Sequence, residues 1–196
     1  MRLHELHPAL VHLPLALAPA AAVADAAAVR AGRSDAAGAW LLGASAAGAA
    51  AAALSGFVAQ GGVRTPTAAH DALITHRTLN LIAAASLGAA ALLRLRRRRP
   101  RMSDVLVETG ASALMAYTGY LGGRMVYGHG VGVRPAGGVK DDRSPRLALR
   151  SVSETAGIAA ANAKRASAHA GRHAQEGKLV PALRGSGPRH AEDGDG

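Results

Sequence analysis

The sequence predicts an all-α fold: a four-helix transmembrane bundle followed by a largely disordered C-terminal tail. Three observations carry that prediction. Long runs of apolar and small residues fill the chain up to about Val133 and almost disappear afterwards. An arginine block (Arg94, Arg96 to Arg99 and Arg101) stands between the third and fourth runs. The second run, from Ala39-Trp-Leu-Leu-Gly-Ala-Ser to Phe57-Val-Ala, has no charged residue and no polar stripe at helical spacing. A helix that is apolar all round belongs in lipid or in a deep core.

A helix needs about 20 mostly apolar residues to cross the hydrocarbon core. The first segment, about residues 9–29, is interrupted by His12, Pro14, Pro19 and Asp25. The second, about 37–59, is the cleanest. The third, about 72–93, carries His76, Arg77 and Asn80 in its first third, and the fourth, about 105–127, has Glu108 and Arg124 near its ends. Gly48, Ala52 and Gly56 fall four apart, as do Gly119 and Gly123. Such stripes let helix backbones approach closely in lipid, and they suit a compact bundle or a homodimer equally well. Ala22-Val-Ala24 before Asp25 resembles a signal-peptide cleavage site. Against cleavage, the start of the chain is barely cationic and the apolar stretch holds a histidine and two prolines.

Residues 1–133 thus form the membrane domain and 134–196 a polar, mostly disordered tail opened by Pro135, Gly137 and Gly138. Within the tail, Ser151-Val-Ser-Glu154 matches a capping box and starts a short helix to about Ala170. Its apolar face is too thin to fold alone.

The formal net charge is +10, but the arginine block and the tail supply the excess. Arginines beside an apolar run read as a membrane anchor, so no nucleic-acid partner is expected and the lipid bilayer is. The absence of cysteine removes disulfides, Cys-ligated iron–sulfur clusters and c-type haem attachment. By the positive-inside rule the arginine loop is cytoplasmic, as is the first loop with Arg30 and Arg33. Both termini and the loop from Arg64 to His70 then face outward, across a cell (inner) membrane.

That topology gathers His4, His7, His12, His70, His76 and His129 at one membrane face. Counted from helix starts near His7 and Asp71, His12 and His76 lie at matched depth. Two histidines on facing helices are what axial ligation of a b-type haem requires. The same pair, joined by His7 or His129, could instead hold Zn or Cu. Asn80, one turn below His76, is placed to orient it, and Arg124 to neutralise a haem propionate or an anionic lipid. No hydrolase constellation or phosphate loop stands out, so no independent catalytic activity is expected. The rival reading is a non-catalytic membrane scaffold with interfacial histidines.

His7-Pro-Ala-Leu-Val-His-Leu-Pro14, the His76 region and Leu121-Gly-Gly-Arg-Met-Val-Tyr-Gly-His-Gly-Val-Gly-Val133 resemble the bacterial membrane family called domain of unknown function 2231. The resemblance covers roughly residues 4 to 133. It implies four transmembrane helices and, because some relatives continue into a Rieske domain, electron transfer with a separate redox protein. This chain departs from those relatives, since a cysteine-free tail cannot be a Rieske domain.

Overall fold

In the computed structural model, residues 1–97, 99–147 and 151–183 are described. Arg98 of the arginine block and the closing stretch 184–196, expected to be disordered, lie outside the described residues. The chain is all-α. Two isolated bridges, Arg2 with Arg146 and Val63 with Val139, are the only β pairings among the described residues.

Four long helices pack side by side. Helix α1 comprises Leu6–Leu10 and His12–Arg30, joined through a turn at Val11. The break follows from Pro14, which has no N–H to return to the Leu10 carbonyl. Helix α2 is Ala36–Gly62, with the Asp35 carboxylate accepting from the Ala37 N–H at its start (3.0 Å). Helix α3 is His70–Leu95 and α4 is Met102–Gly123, continued by one π-helical turn, Arg124–Gly128. Each helix touches its two sequence neighbours, and α4 closes the ring against α1. The diagonal pairs are therefore α1 with α3 and α2 with α4.

The fold departs from the expected four helices in number and in reach. A fifth helix, α5 (Val152–Gln175), begins where the capping box was read and runs beyond Ala170. Among the described residues, only Leu3–Arg30, Ala36–Gly62 and Thr67–Leu95 are long and apolar enough to cross a membrane by length and composition. Helix α4 falls short of that measure; Asp104 and Glu108 occupy its first turns, and both are buried inside the bundle.

The outside of the bundle is apolar. Val23 on α1, Trp40 on α2 (79% exposed), Leu92 on α3 and Leu106 on α4 (66% exposed) all point away from the core. The inside is built from Ala18, Ala21, Leu42, Ala49, Leu87 and Met115, with most of the buried charges at one end. This inversion of the usual pattern suits lipid as the surrounding solvent, because a contiguous apolar exterior in water drives association.

The two hairpins, α1–α2 and α3–α4, repeat one burial register. Buried Ala18, Ala21 and Asp25 follow His7 by eleven, fourteen and eighteen residues; buried Leu87, Ala90 and Arg94 follow His76 by the same intervals. On the returning helices, Leu42, Ala49 and Ala52 precede Gly56 by fourteen, seven and four residues. Glu108, Met115 and Thr118 precede Gly122 identically, and all six are buried. The bundle is thus two-fold in its burial pattern.

The tail does not behave as a loose extension up to Leu183. Helix α5 packs on α2, where Asn162 is fully buried, donates to the Arg143 carbonyl (2.9 Å) and sits over Gly61. A Cβ at Gly61 would lie 2.6 Å from the Asn162 side chain, so only glycine allows this seat. Farther on, the Ala182 N–H donates to Thr75 Oγ1 on α3 (2.9 Å). The chain start is tied to the same layer: the Leu3 N–H donates to the Pro145 carbonyl and Leu147 N–H to that of Met1.

Candidate functional site

The two ends of the bundle carry different chemistry. At the arginine end, the Arg94 guanidinium lies 3.5 Å from the Asp25 carboxylate, with side chains 3% and 0% exposed. Arg94 also donates to the backbone carbonyls of Asp35 (2.7 Å) and Arg97 (3.0 Å). Arg97 in turn pairs with Asp104 at 3.0 Å. Glu108, fully buried and with neither oxygen hydrogen-bonded, stands within electrostatic reach of Asp25, Asp104 and Arg94. A Cβ at Gly38 would collide with the Asp25 carboxylate, which explains a glycine there. Arg94 is therefore a buried structural cation rather than a headgroup anchor.

At the histidine end a cavity of about 520 Å³ opens between the helices, within the size range of small-molecule sites. His7 and His76 both line it, their ring centres 6.1 Å apart and their planes at 81°. They approach from diagonal helices, so they meet across the middle of the bundle.

Each imidazole is held in the same way. Nδ1 of His7 donates to the Ala52 carbonyl at 2.9 Å, and Nδ1 of His76 to the Thr118 carbonyl at 2.8 Å. A carbonyl can only accept, so a proton sits on Nδ1, and in the neutral ring the lone pair is then at Nε2. This is the second-shell arrangement that metal-binding histidines use to fix tautomer and orientation. Room for each ring comes from a glycine one turn beyond the accepting carbonyl. A Cβ on Gly56 would stand 3.2 Å from the His7 ring, and one on Gly122 would stand 3.4 Å from His76.

Asn80 belongs to the same assembly. Its Nδ2 donates to the His76 carbonyl (2.8 Å), and its Oδ1 accepts from Thr118 Oγ1 (3.0 Å). Asn80 thus ties the helix bearing His76 to the residue whose carbonyl holds that ring.

Of the other expected site residues, His4 also lines the cavity, and the rest lie elsewhere. His12 is exposed on the outer side of α1 and does not line the cavity. The physical reason is rotation: five residues beyond His7 is about 140° around a helix, so the two cannot share a face. The expected pair of His12 with His76 is replaced by His7 with His76. His129 lies with Arg124, Tyr120 and Tyr127 in a separate shallow hollow, where the exposed Arg124 covers the Tyr120 ring at 5.9 Å. His4 meets Ser144 of the tail, and His70 donates to the Thr65 carbonyl (3.1 Å). Among the described residues no group of three or more His, Cys, Asp or Glu side chains could hold a metal ion. His12 and His76, with His7 or His129 as a third, are thus not gathered into one such group there.

Arg77 is the cavity residue the sequence reading passed over. It follows His76 directly, lines the cavity and is 9% exposed. Gly56, Gly122, Ala52 and Thr118 were also missed as site residues. The available signal was the repeat: His7 to Asp25 and His76 to Arg94 have equal spacing, as do Ala52–Gly56 and Thr118–Gly122.

The small-residue stripe of α2 is used inside the bundle. A Cβ at Gly48 would press on Leu13 and Pro14, and Ala52 and Gly56 serve His7. On α4, Gly119 and Gly123 have open space beside them.

No curated protein and no solved structure matches the chain. A family profile described as "Predicted membrane protein (DUF2231)" matches residues 3–135, some two thirds of the chain, and so the protein with this paired-hairpin histidine site belongs to the DUF2231 family of membrane proteins.

Proposed function

We propose that the chain is a multi-pass subunit of the cell (inner) membrane that holds one b-type haem between His7 and His76. The observation that carries this reading is the matched pair of imidazoles. Both have Nδ1 committed to a backbone carbonyl, both line one apolar cavity, and both come from equivalent positions of the two hairpins.

The spacing fits a group ligated on two opposite sides. With a metal–nitrogen bond of about 2.0–2.1 Å, two imidazoles placed trans put their ring centres about 6 Å apart, whereas a tetrahedral angle brings them to about 5 Å. The separation here is 6.1 Å. A haem needs only two protein ligands, while a closed Zn site needs four. Haem would supply one-electron transfer, and exchange would then be with a separate redox protein. The protein's part is to hold the two rings, through Ala52, Thr118 and Asn80, and to surround them with apolar helix faces that exclude water.

The exposed apolar residues on all four helices support a four-span reading in which α4 also meets lipid. Its two carboxylates face inward, where Arg97 pairs with Asp104 and Glu108 lies within electrostatic reach of Arg94. The histidine end then lies outward and the arginine end toward the cytoplasm.

The test is purification in detergent from haem-replete cells, followed by a reduced-minus-oxidised spectrum and metal analysis. A low-spin spectrum with about one haem per chain is expected. The absence of a Soret band and of stoichiometric metal would refute the cofactor reading and leave the scaffold alternative.

A further inference from the structure

Among the described residues, one buried charge at the histidine end has no counter-charge. Nη2 of Arg77 lies 3.1 Å from Nδ1 of His173 on α5, while Nη1 is buried without any hydrogen-bond partner. Among the described residues no carboxylate forms an ion pair with it. Glu5, the acidic residue that shares the cavity lining, uses Oε2 to accept the Arg2 N–H at 2.7 Å. A guanidinium withdrawn from water without an anion is a costly arrangement, and it becomes favourable when a ligand brings the anion.

Arg77 also breaks the two-fold pattern. It follows His76 as Pro8 follows His7, so the repeated chamber has an arginine on one side only. Arg124, the arginine expected to meet a propionate, is exposed over Tyr120 in the other hollow and is not part of this chamber.

We infer that Arg77 docks an anionic oxygen group of the molecule that fills the cavity, so that the occupant is an apolar, carboxylate-bearing ligand oriented with its charged edge toward α3. This rests on reading the cavity as a cofactor chamber, where the ligand would be a porphyrin dicarboxylate rather than a bare metal ion. A free Nη1 directed at a carboxylate gives a charge-assisted hydrogen bond, stronger than a neutral one and specific for the ionised ligand.

The test uses the full-length protein in detergent and two iron-free probes, protoporphyrin IX and its dimethyl ester, with binding read from porphyrin fluorescence. Wild type should prefer the diacid by about tenfold or more. Arg77→Gln should erase the preference, Arg77→Lys should keep part of it, and Arg124→Gln should keep all of it. Equal affinity of wild type for the two probes, binding of neither, or a preference that survives Arg77→Gln would overturn the assignment. The comparison of probes on wild type needs no variant to fold. Iron-free porphyrin has no axial ligation, so the result is separable from the histidine reading. A diacid preference without low-spin haemin would refute His7 and His76 as ligands while supporting Arg77.

Discussion

Replacing Gly56 by alanine probes the histidine seat more finely than removing a histidine. The new Cβ would stand 3.2 Å from both Cε1 and Nδ1 of His7, so the ring must retreat by a few tenths of an ångström. The ring is held by the 2.9 Å bond from Nδ1 to the Ala52 carbonyl, and a shift of that size takes the bond to the edge of normal geometry. Losing such a bond costs about 0.5–1.5 kcal/mol, while alanine in place of glycine inside a helix returns about 0.5–1 kcal/mol. Global stability should therefore barely move, and the loss should fall on the site. About 1 kcal/mol of lost positioning corresponds to roughly fivefold weaker haem retention. Gly122→Ala is the control, because its Cβ would meet His76 at 3.4 and 3.7 Å, which is ordinary contact. The assay is haem per protein after gel filtration, with thermal unfolding of the same samples. Equal haem retention in the two variants, or unfolding of Gly56→Ala by several kcal/mol, would refute the reasoning.

Other perturbations have expected outcomes of different kinds. Arg94→Met should destabilise the protein by about 3–5 kcal/mol, since it strands the fully buried Asp25 carboxylate, and Asp25→Asn should cost less; equal melting temperatures would contradict this electrostatic account. Asn162→Ala should release α5 from Gly61 and the Arg143 carbonyl, costing about 1–2 kcal/mol and making the tail more sensitive to limited proteolysis. An unchanged digestion pattern would show that α5 docks by other contacts. For topology, the chain has no cysteine, so single cysteines at Ala68 and Ser34, both exposed, can be labelled cleanly. An impermeant thiol reagent should reach the first in intact cells and the second only after lysis.

Much of the fold was readable because apolar length and charge placement are local properties. The uncharged stretch around Leu42 to Phe57 gave α2 to within three residues at either end. The tail was harder, because its order depends on distant partners: Asn162 needs Gly61, and Ala182 needs Thr75. No window of sequence around Ser151 holds those contacts. Among the histidines, depth along the helix alone selected His12. Facing direction is set by helix rotation, and His7 rather than His12 shares the inward face with Pro14, Ala18 and Ala21. Arg94 was grouped with its loop neighbours because a run of arginines gives no hint that one member turns inward to Asp25.

The most direct measurement of the central claim is the optical and EPR spectrum of the haem-loaded protein in three variants: His7→Ala, His76→Ala and His12→Ala. The two cavity histidines should each abolish low-spin bis-imidazole ligation, while His12→Ala should leave the spectrum as in wild type. Loss of the low-spin signal in His12→Ala, or its retention in both His7→Ala and His76→Ala, would contradict the account.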